Sequence, residues 1–198
     1  MLSQSNLLAL VKDNLWPQFE KERERLERVD RWYRWNPEDP KLPRGATTEL
    51  KYLLQLSKTP WLNLVVTTVA QTLYVDGYRS PESSDLSPLW RTWQANKFNA
   101  RQVAIHRGAL AYGHAYATAF PGEDASGPRA VLRGISPRRM MAFYADPAED
   151  DWPMYALQAD PQKDGWMVRV IDEEAIYFLS LTTEGEPTYI EYREHGTG

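Results

Sequence analysis

The chain has 198 residues, of which 42% are hydrophobic and 25% are charged, and its formal net charge is −4. This length and composition favour one folded domain with a packed core over a disordered chain. The negative balance argues against a free-standing nucleic-acid-binding protein, which usually carries a basic excess. The absence of cysteine excludes a disulfide framework and thiolate metal ligands.

Two features of the sequence argue against targeting or membrane insertion. The first sixteen residues lack the uninterrupted apolar core and small-residue cleavage site of a signal peptide. The longest apolar stretch, residues 61–73, contains Asn63, Thr67, Thr68 and Gln71 and is too short to span a bilayer. We therefore expect no contact with a membrane.

The first helix is predicted over residues 3–35, and Pro17 either breaks it or opens a new first turn. Beyond Pro17 an apolar stripe recurs at helical spacing on one side. Its members are Phe19, Leu26, Val29 and Trp32 or Tyr33. Acidic residues precede basic ones by four positions on the other side, as in Asp30 and Arg34, which is typical of a solvated helix surface.

A proline-rich loop follows, and two further helices are predicted behind it. Thr47 or Thr48 is a candidate N-cap for the first of them. The second opens near Pro60, and its apolar residues recur at helical spacing. These residues, Leu62, Val65, Val66, Val69 and Leu73, are predicted to be core. The substitution Val69→Asp should then unfold the domain, because an unpaired buried charge costs several kcal/mol.

The remaining pattern changes from helix to strand near residue 114. A helix opens at Ser87 and ends near Asn96 or Asn99, and the next helix ends at Gly113, which suits a C′ position. From residue 114 onward, alternating apolar segments are separated by Pro, Gly and Asp turns. We predict an α+β fold with N-terminal helices followed by an antiparallel β meander. The expected organisation is one domain over 1–198, mainly helical over 1–113 and mainly β over 114–198.

Neither histidine of the central segment has the spacing of a metal site. His106 and His114 are eight residues apart, with the helix-ending Gly113 between them, whereas two ligands on one helix need a spacing of four. A zinc site also needs further ligands, and none is apparent nearby. We predict that both histidines are structural.

Other polar clusters carry no catalytic motif. The loop with Asp146, Glu149, Asp150 and Asp151 lacks the spacing of a calcium loop, and Ser136 does not stand in a nucleophile elbow. The basic group Arg133, Arg138 and Arg139 has the chemistry to contact phosphates, but a solvated loop carries such residues too. No catalytic residue, metal ligand or cofactor-binding residue is therefore predicted.

Several segments taken together resemble the portal proteins of tailed bacteriophages, and the closest group is that of actinobacterial phages. The segments occur in the family's order and cover nearly the whole chain. They are RLERVDRWYRWN, WLNLVVTTVAQTLYVDGYRS, LWRTWQANKFNARQVAIHRGALAYGHAYATAFPG and ISPRRMMAFYADP. VDGYRS, WQANKFNA and ALAYGHAYA are the most specific of their parts.

The resemblance implies a structural role without chemistry. Portal proteins form a ring, usually dodecameric, at one capsid vertex, and dsDNA enters and leaves the capsid through it. The expected location is the virion's portal vertex, with the host cytoplasm as the site of assembly. Expected partners are other portal subunits, the capsid and a scaffolding protein. Terminase, tail adaptor and dsDNA would bind through stem, clip and crown regions that this chain lacks, leaving the wing portion.

The chain has eight Trp and eleven Tyr residues, more than one small core easily hides. Candidate subunit or capsid contacts are Trp32, Tyr33, Trp35, Trp90 and Trp93. The isolated chain is expected to be monomeric or weakly self-associating. The alternative is a small metal-dependent nucleic-acid-processing enzyme that uses the acidic loop, and metal-dependent stabilisation or turnover would identify it.

Overall fold

The structure, a computed structural model, describes residues 2–36, 41–57, 59–78, 87–124 and 127–195. The helices are α1 (Gln4–Leu10), a π-helical segment (Val11–Leu15), α2 (Trp16–Tyr33), α3 (Thr48–Leu56), α4 (Trp61–Thr72), α5 (Ser87–Ala95) and α6 (Phe98–Tyr112). The strands are β1 (Tyr116–Asp124), β2 (Gly127–Ile135), β3 (Met140–Phe143), β4 (Tyr155–Gln162), β5 (Gly165–Ile171), β6 (Ala175–Leu181) and β7 (Pro187–Glu194).

All strand pairs are antiparallel, and the predicted α+β class with its helices first is confirmed. The strands divide into two sheets instead of forming one meander. β1 and β2 form a separate hairpin, whereas β3 to β7 follow one another in chain order as a five-stranded sheet. None of the helices in the described ranges is long and apolar enough to cross a bilayer.

The main core lies between the N-terminal helix and one face of the five-stranded sheet. Leu7, Val11, Leu15 and Phe19 recur every four residues and are all buried. The π-helical segment widens the helix where two of these residues lie, just before Pro17, which has no N–H to donate to the preceding turn. Alternate residues of the sheet complete this core, namely Leu157, Ala159, Val168, Val170, Tyr177, Leu179 and Leu181.

Two buried amides hold the helices to the hairpin and to the segment after α4. The Asn96 side chain donates to the Ala130 carbonyl at 2.9 Å and accepts from the Leu132 amide at 2.8 Å. The Gln102 side chain accepts from the Val75 amide at 2.7 Å and donates to the Val75 carbonyl at 3.2 Å. Because a buried polar group must be hydrogen-bonded, both contacts fix the local chain path.

The predicted burial of the α4 stripe is wrong. Leu62, Val65, Val69 and Leu73 are exposed, with 58% exposure for Val65 and 41% for Val69, and Val66 is only half-buried. The packed side of α4 instead carries Asn63, Val66, Thr67 and Ala70, of which only Ala70 is buried. Small and polar side chains let α4 lie close to α6, and the more apolar side points away from the chain.

The substitution Gly165→Ala should destabilise the fold by about 2–3 kcal/mol, measured by thermal or urea unfolding. Gly165 has φ +149°, and a Cβ there would overlap the carbonyl oxygen of Leu181 on the paired strand. Gly77→Ala is the matched control, since a Cβ at Gly77 meets nothing within 4 Å. Equal unfolding midpoints for the two variants would contradict the close approach of β5 and β6.

Candidate subunit interface

The predicted contact residues at the end of α2 differ in exposure. Trp32 is 52% exposed and packs edge-to-face on Trp35 at 6.0 Å between ring centroids. Tyr33 is half-buried against Tyr112 of α6, with ring centroids 6.4 Å apart. Trp35 is half-buried in the left-handed conformation that closes α2. Of these three candidates, Trp32 has the most surface to offer a partner.

Trp90 and Trp93, the other two candidates, pack on each other within α5. Their rings stack at 5.9 Å with an interplanar angle of 13°, and Trp93 also packs on Phe98 at 4.9 Å. The Trp93 indole N–H donates to Asn99 Oδ1 at 2.9 Å. Both tryptophans are half-buried, so part of their surface is used inside the chain.

A larger set of exposed apolar side chains lies on α3 and α4, and three of them, Leu62, Val65 and Val69, were predicted to be core. We call this set the α3–α4 apolar surface. Its exposed residues are Leu50, Tyr52, Leu53, Leu56, Trp61, Leu62, Leu64, Val65 and Val69. Exposed apolar area of this extent usually marks a site of association.

Helix α3 shows most clearly that this surface has no packing partner within the described part of the chain. It has nine residues, Thr47 caps its N-terminus as predicted, and none of its residues is buried. An isolated helix shorter than about 12–15 residues is marginal in water, because its stability comes from packing an apolar side. The sequence pattern already allowed for this exposure, because an amphipathic helix that follows a proline-rich loop need not pack against its own chain.

Asp30 is the buried centre of a polar cluster that joins α2, α6 and the turn before β3. Its side chain accepts from the Tyr112 hydroxyl at 2.6 Å and from Arg34 Nε at 2.9 Å, and Arg138 lies 3.0 Å away. Burial alone would raise the pKa of Asp30, but these hydrogen bonds and the nearby charges lower it. Burial and the bond to Asp30 raise the pKa of Tyr112 to about 12, so the phenol stays a donor.

The two central histidines have separate structural surroundings. The His106 Nδ1 lies 3.0 Å from the Leu73 carbonyl oxygen, at the end of α4. His114 packs edge-to-face on Tyr116, and burial lowers the pKa of His114. In the described ranges, no three His, Cys, Asp or Glu side chains are grouped so that they could hold a metal ion.

Replacing both histidines with alanine should lower stability by about 1–2 kcal/mol, through lost packing and one lost hydrogen bond. Thermal melting measures this loss, and calorimetry with zinc provides the second readout. Stoichiometric zinc binding at micromolar affinity that disappears in the double variant would refute a structural role.

The acidic loop, residues 144–154, is held in shape by its own carboxylates. Asp150 Oδ2 accepts from the Asp146 amide at 2.8 Å, and Asp146 Oδ1 accepts from the Ala148 amide at 2.9 Å. The Met154 amide donates to the Phe143 carbonyl at 2.8 Å and closes the base of the loop. Trp152 is 85% exposed, which makes it the most exposed large apolar residue of the described chain.

A groove of about 820 Å³ lies between α6, the C-terminal end of α2 and the end of β2. We call it the arginine groove, because Arg34, Arg101, Arg107 and Arg133 line it and no acidic residue among the described ones does. Its remaining lining is mostly small or apolar and includes Ile105 and Ala111. The predicted basic group is thereby divided: Arg133 faces the groove, Arg138 pairs with Asp30, and Arg139 lies 3.6 Å from Asp160.

The exposed apolar side chains of α3 and α4 are of the kind that marks contact with another protein chain. A family model described as phage portal protein, SPP1 Gp6-like, matches residues 12–198. The chain therefore belongs to the phage portal protein family, and the predicted resemblance is confirmed. No curated protein matches the chain. The family is structural, not enzymatic, and its place is the portal vertex of the virion.

Proposed function

We propose that this chain is the wing portion of a portal subunit, one domain over 1–198 that occupies the periphery of a ring. In this role it contacts neighbouring subunits and the capsid, while dsDNA passes through the ring during packaging and ejection. Stem, clip and crown regions, which we propose lie outside these residues, would bind terminase, tail adaptor and dsDNA. The chain itself would catalyse no reaction.

The α3–α4 apolar surface is the observation that best supports this proposal. Its occupant is a neighbouring portal subunit, because ring closure requires each subunit to present two different surfaces to its neighbours. Leucine, valine and aromatic residues in contact are typical of interfaces that form permanently. Trp32, Tyr33, Trp35, Trp90 and Trp93 remain candidates for further subunit or capsid contacts.

Labelling of intact particles tests the proposed location. Because residues 1–198 contain no cysteine, Ser180→Cys on the exposed side of β6 gives one attachment point within them for a gold or fluorescent label, and particles without the substitution give the background. We expect one labelled vertex per capsid, with about as many labels there as a ring has subunits. A label spread over the whole shell, or absent from purified virions, would contradict the proposal.

A further inference from the structure

The arginine groove has positive charge that its own chain does not neutralise. Arg34 is paired with Asp30, and Arg101 donates to the Leu132 carbonyl at 3.2 Å. Arg107 and Arg133 are exposed and have no acidic partner among the described residues. Two guanidinium groups are thus available to an acidic ligand. The ion pair between an arginine and a carboxylate is frequently bidentate.

The floor of the groove narrows the choice of ligand. Ile105, Ala111 and Ile135 line it, and Ile105 of α6 packs so closely on Gly134 of β2 that a Cβ at position 134 would lie 2.6 Å from the Ile105 side chain. A DNA backbone would satisfy the arginines but leave this apolar floor uncovered, and the net charge of −4 repels it. An acidic protein segment that also carries an apolar anchor matches both parts of the groove.

The acidic loop of this chain has both properties. It contains Asp146, Glu149, Asp150 and Asp151 and no basic residue, so it carries as much negative charge as the whole chain has in excess. Trp152 stands exposed beside Asp151, and tryptophan is the side chain most enriched at the energetic centres of interfaces. The internal hydrogen bonds of the loop reduce the entropy lost when it binds.

We propose that the arginine groove of one subunit receives the acidic loop of a second copy, with Trp152 on the apolar floor and Glu149 and Asp151 beside Arg107 and Arg133. This inference rests on the proposed function, since two different surfaces in contact generate a head-to-tail ring. Trp152 is exposed in its own chain, so it does not fill the groove of that chain.

Cysteine cross-linking of the 198-residue chain tests the contact. Ala148→Cys introduces a thiol in the acidic loop and leaves the carboxylates of the loop in place, and Ala104→Cys introduces one in the lining of the groove. Mixing the two single variants under mild oxidation should give a disulfide-linked dimer, and the double variant should give a ladder of oligomers. Ser180→Cys replaces Ala104→Cys in the control mixture and should not cross-link with Ala148→Cys.

Charge reversal shows whether the arginines and carboxylates are responsible. Arg107→Glu with Arg133→Glu, or Glu149→Arg with Asp151→Arg, should slow cross-linking by about tenfold or more, because like charges then meet. A mixture of the two reversed proteins should cross-link at the original rate, since each reversed surface meets its complement. All these positions are exposed, and circular dichroism before mixing confirms that each variant is folded.

Three results would overturn the proposal: no cross-link at micromolar concentration, a disulfide within one chain in the double variant, or cross-linking unchanged by charge reversal. Duplex DNA that binds the wild type but not Arg107→Glu with Arg133→Glu, without cross-linking, would make the groove a nucleic-acid site instead. A single labelled vertex without a cross-link would refute this contact and leave the proposed function standing. A cross-link without a labelled vertex would refute the proposed function and leave this contact standing.

Discussion

Aspartate in place of Leu53 and Val65 should abolish assembly of the portal that carries these residues, yet leave the stability of the isolated chain within about 0.5 kcal/mol. Both side chains are more than half exposed, at 59% and 58%, so the isolated chain has little packing there to lose. In the ring the same carboxylates would be buried without partners, which costs several kcal/mol at each of many interfaces.

Sedimentation of the assembled portal and thermal melting of the isolated chain measure the two effects separately. Ile190→Asp on β7 is the matched control, because Ile190 is also an exposed aliphatic residue but lies outside the α3–α4 apolar surface. Normal assembly of the Leu53 and Val65 variant would show that this surface faces solvent in the ring. A collapse in melting temperature would show instead that it is part of the core.

Replacing Asp30 with asparagine should cost about 2–3 kcal/mol of folding stability, because hydrogen bonds to a charged group contribute more than neutral ones. The change removes the negative charge that Arg34 and Arg138 share and weakens the hydrogen bond from Tyr112. Tyr112→Phe removes only that one hydrogen bond and should cost about 1–2 kcal/mol.

The pH dependence of the unfolding free energy distinguishes the contribution of the Asp30 charge from that of its packing. Its folded-state pKa is lowered from 3.8, so ionised Asp30 stabilises the fold above pH 3.8, and this stabilisation is lost as the pH falls through the lower folded-state value. The difference between wild type and Asp30→Asn should therefore be constant near neutral pH and shrink in acid below pH 3.8. Denaturant unfolding over this range measures it, and a pH-independent difference would mean that packing, not charge, is responsible.

Local chemistry made several parts of the fold predictable. Gly113 ends α6 with φ +92°, and only glycine takes that conformation without cost. Thr47 caps α3 through its own hydroxyl, which accepts from the Leu50 amide. The strands followed from alternating apolar residues between turns, because the pleat and the turn residues depend on neighbours in sequence.

Contacts between distant residues were not predictable in the same way. Asp30 was expected to pair with Arg34 on a solvated helix side, but Asp30 itself is buried because Tyr112 and Arg138 approach from far along the chain, while Arg34 stays exposed. Gln102 is hydrogen-bonded to Val75, and Asn96 is hydrogen-bonded to residues of β2. No periodicity in α6 indicates which of its polar residues will be enclosed.

The error at α4 has a different physical cause. Helical periodicity shows which residues share a side of the helix, but it does not show whether the residues that pack on that side belong to the same chain. Val65 and Val69 do share a side of α4, and that side is exposed. The expected role as a ring subunit already implied contacts with other chains, but the predicted contact residues were Trp32, Tyr33, Trp35, Trp90 and Trp93, and the α4 stripe was predicted to be core.

Hydrogen–deuterium exchange of α3 and α4, compared between the isolated chain and the assembled portal, tests the central claim most directly. In the isolated chain α3 buries no residue, so its amides should exchange almost as fast as those of an unfolded peptide. In the ring, a neighbouring subunit on the α3–α4 apolar surface should slow this exchange by about a hundredfold or more, while exchange in the core strands β5 and β6 stays unchanged. Equally fast exchange of α3 in both states would contradict the claim that this surface joins subunits of a portal ring.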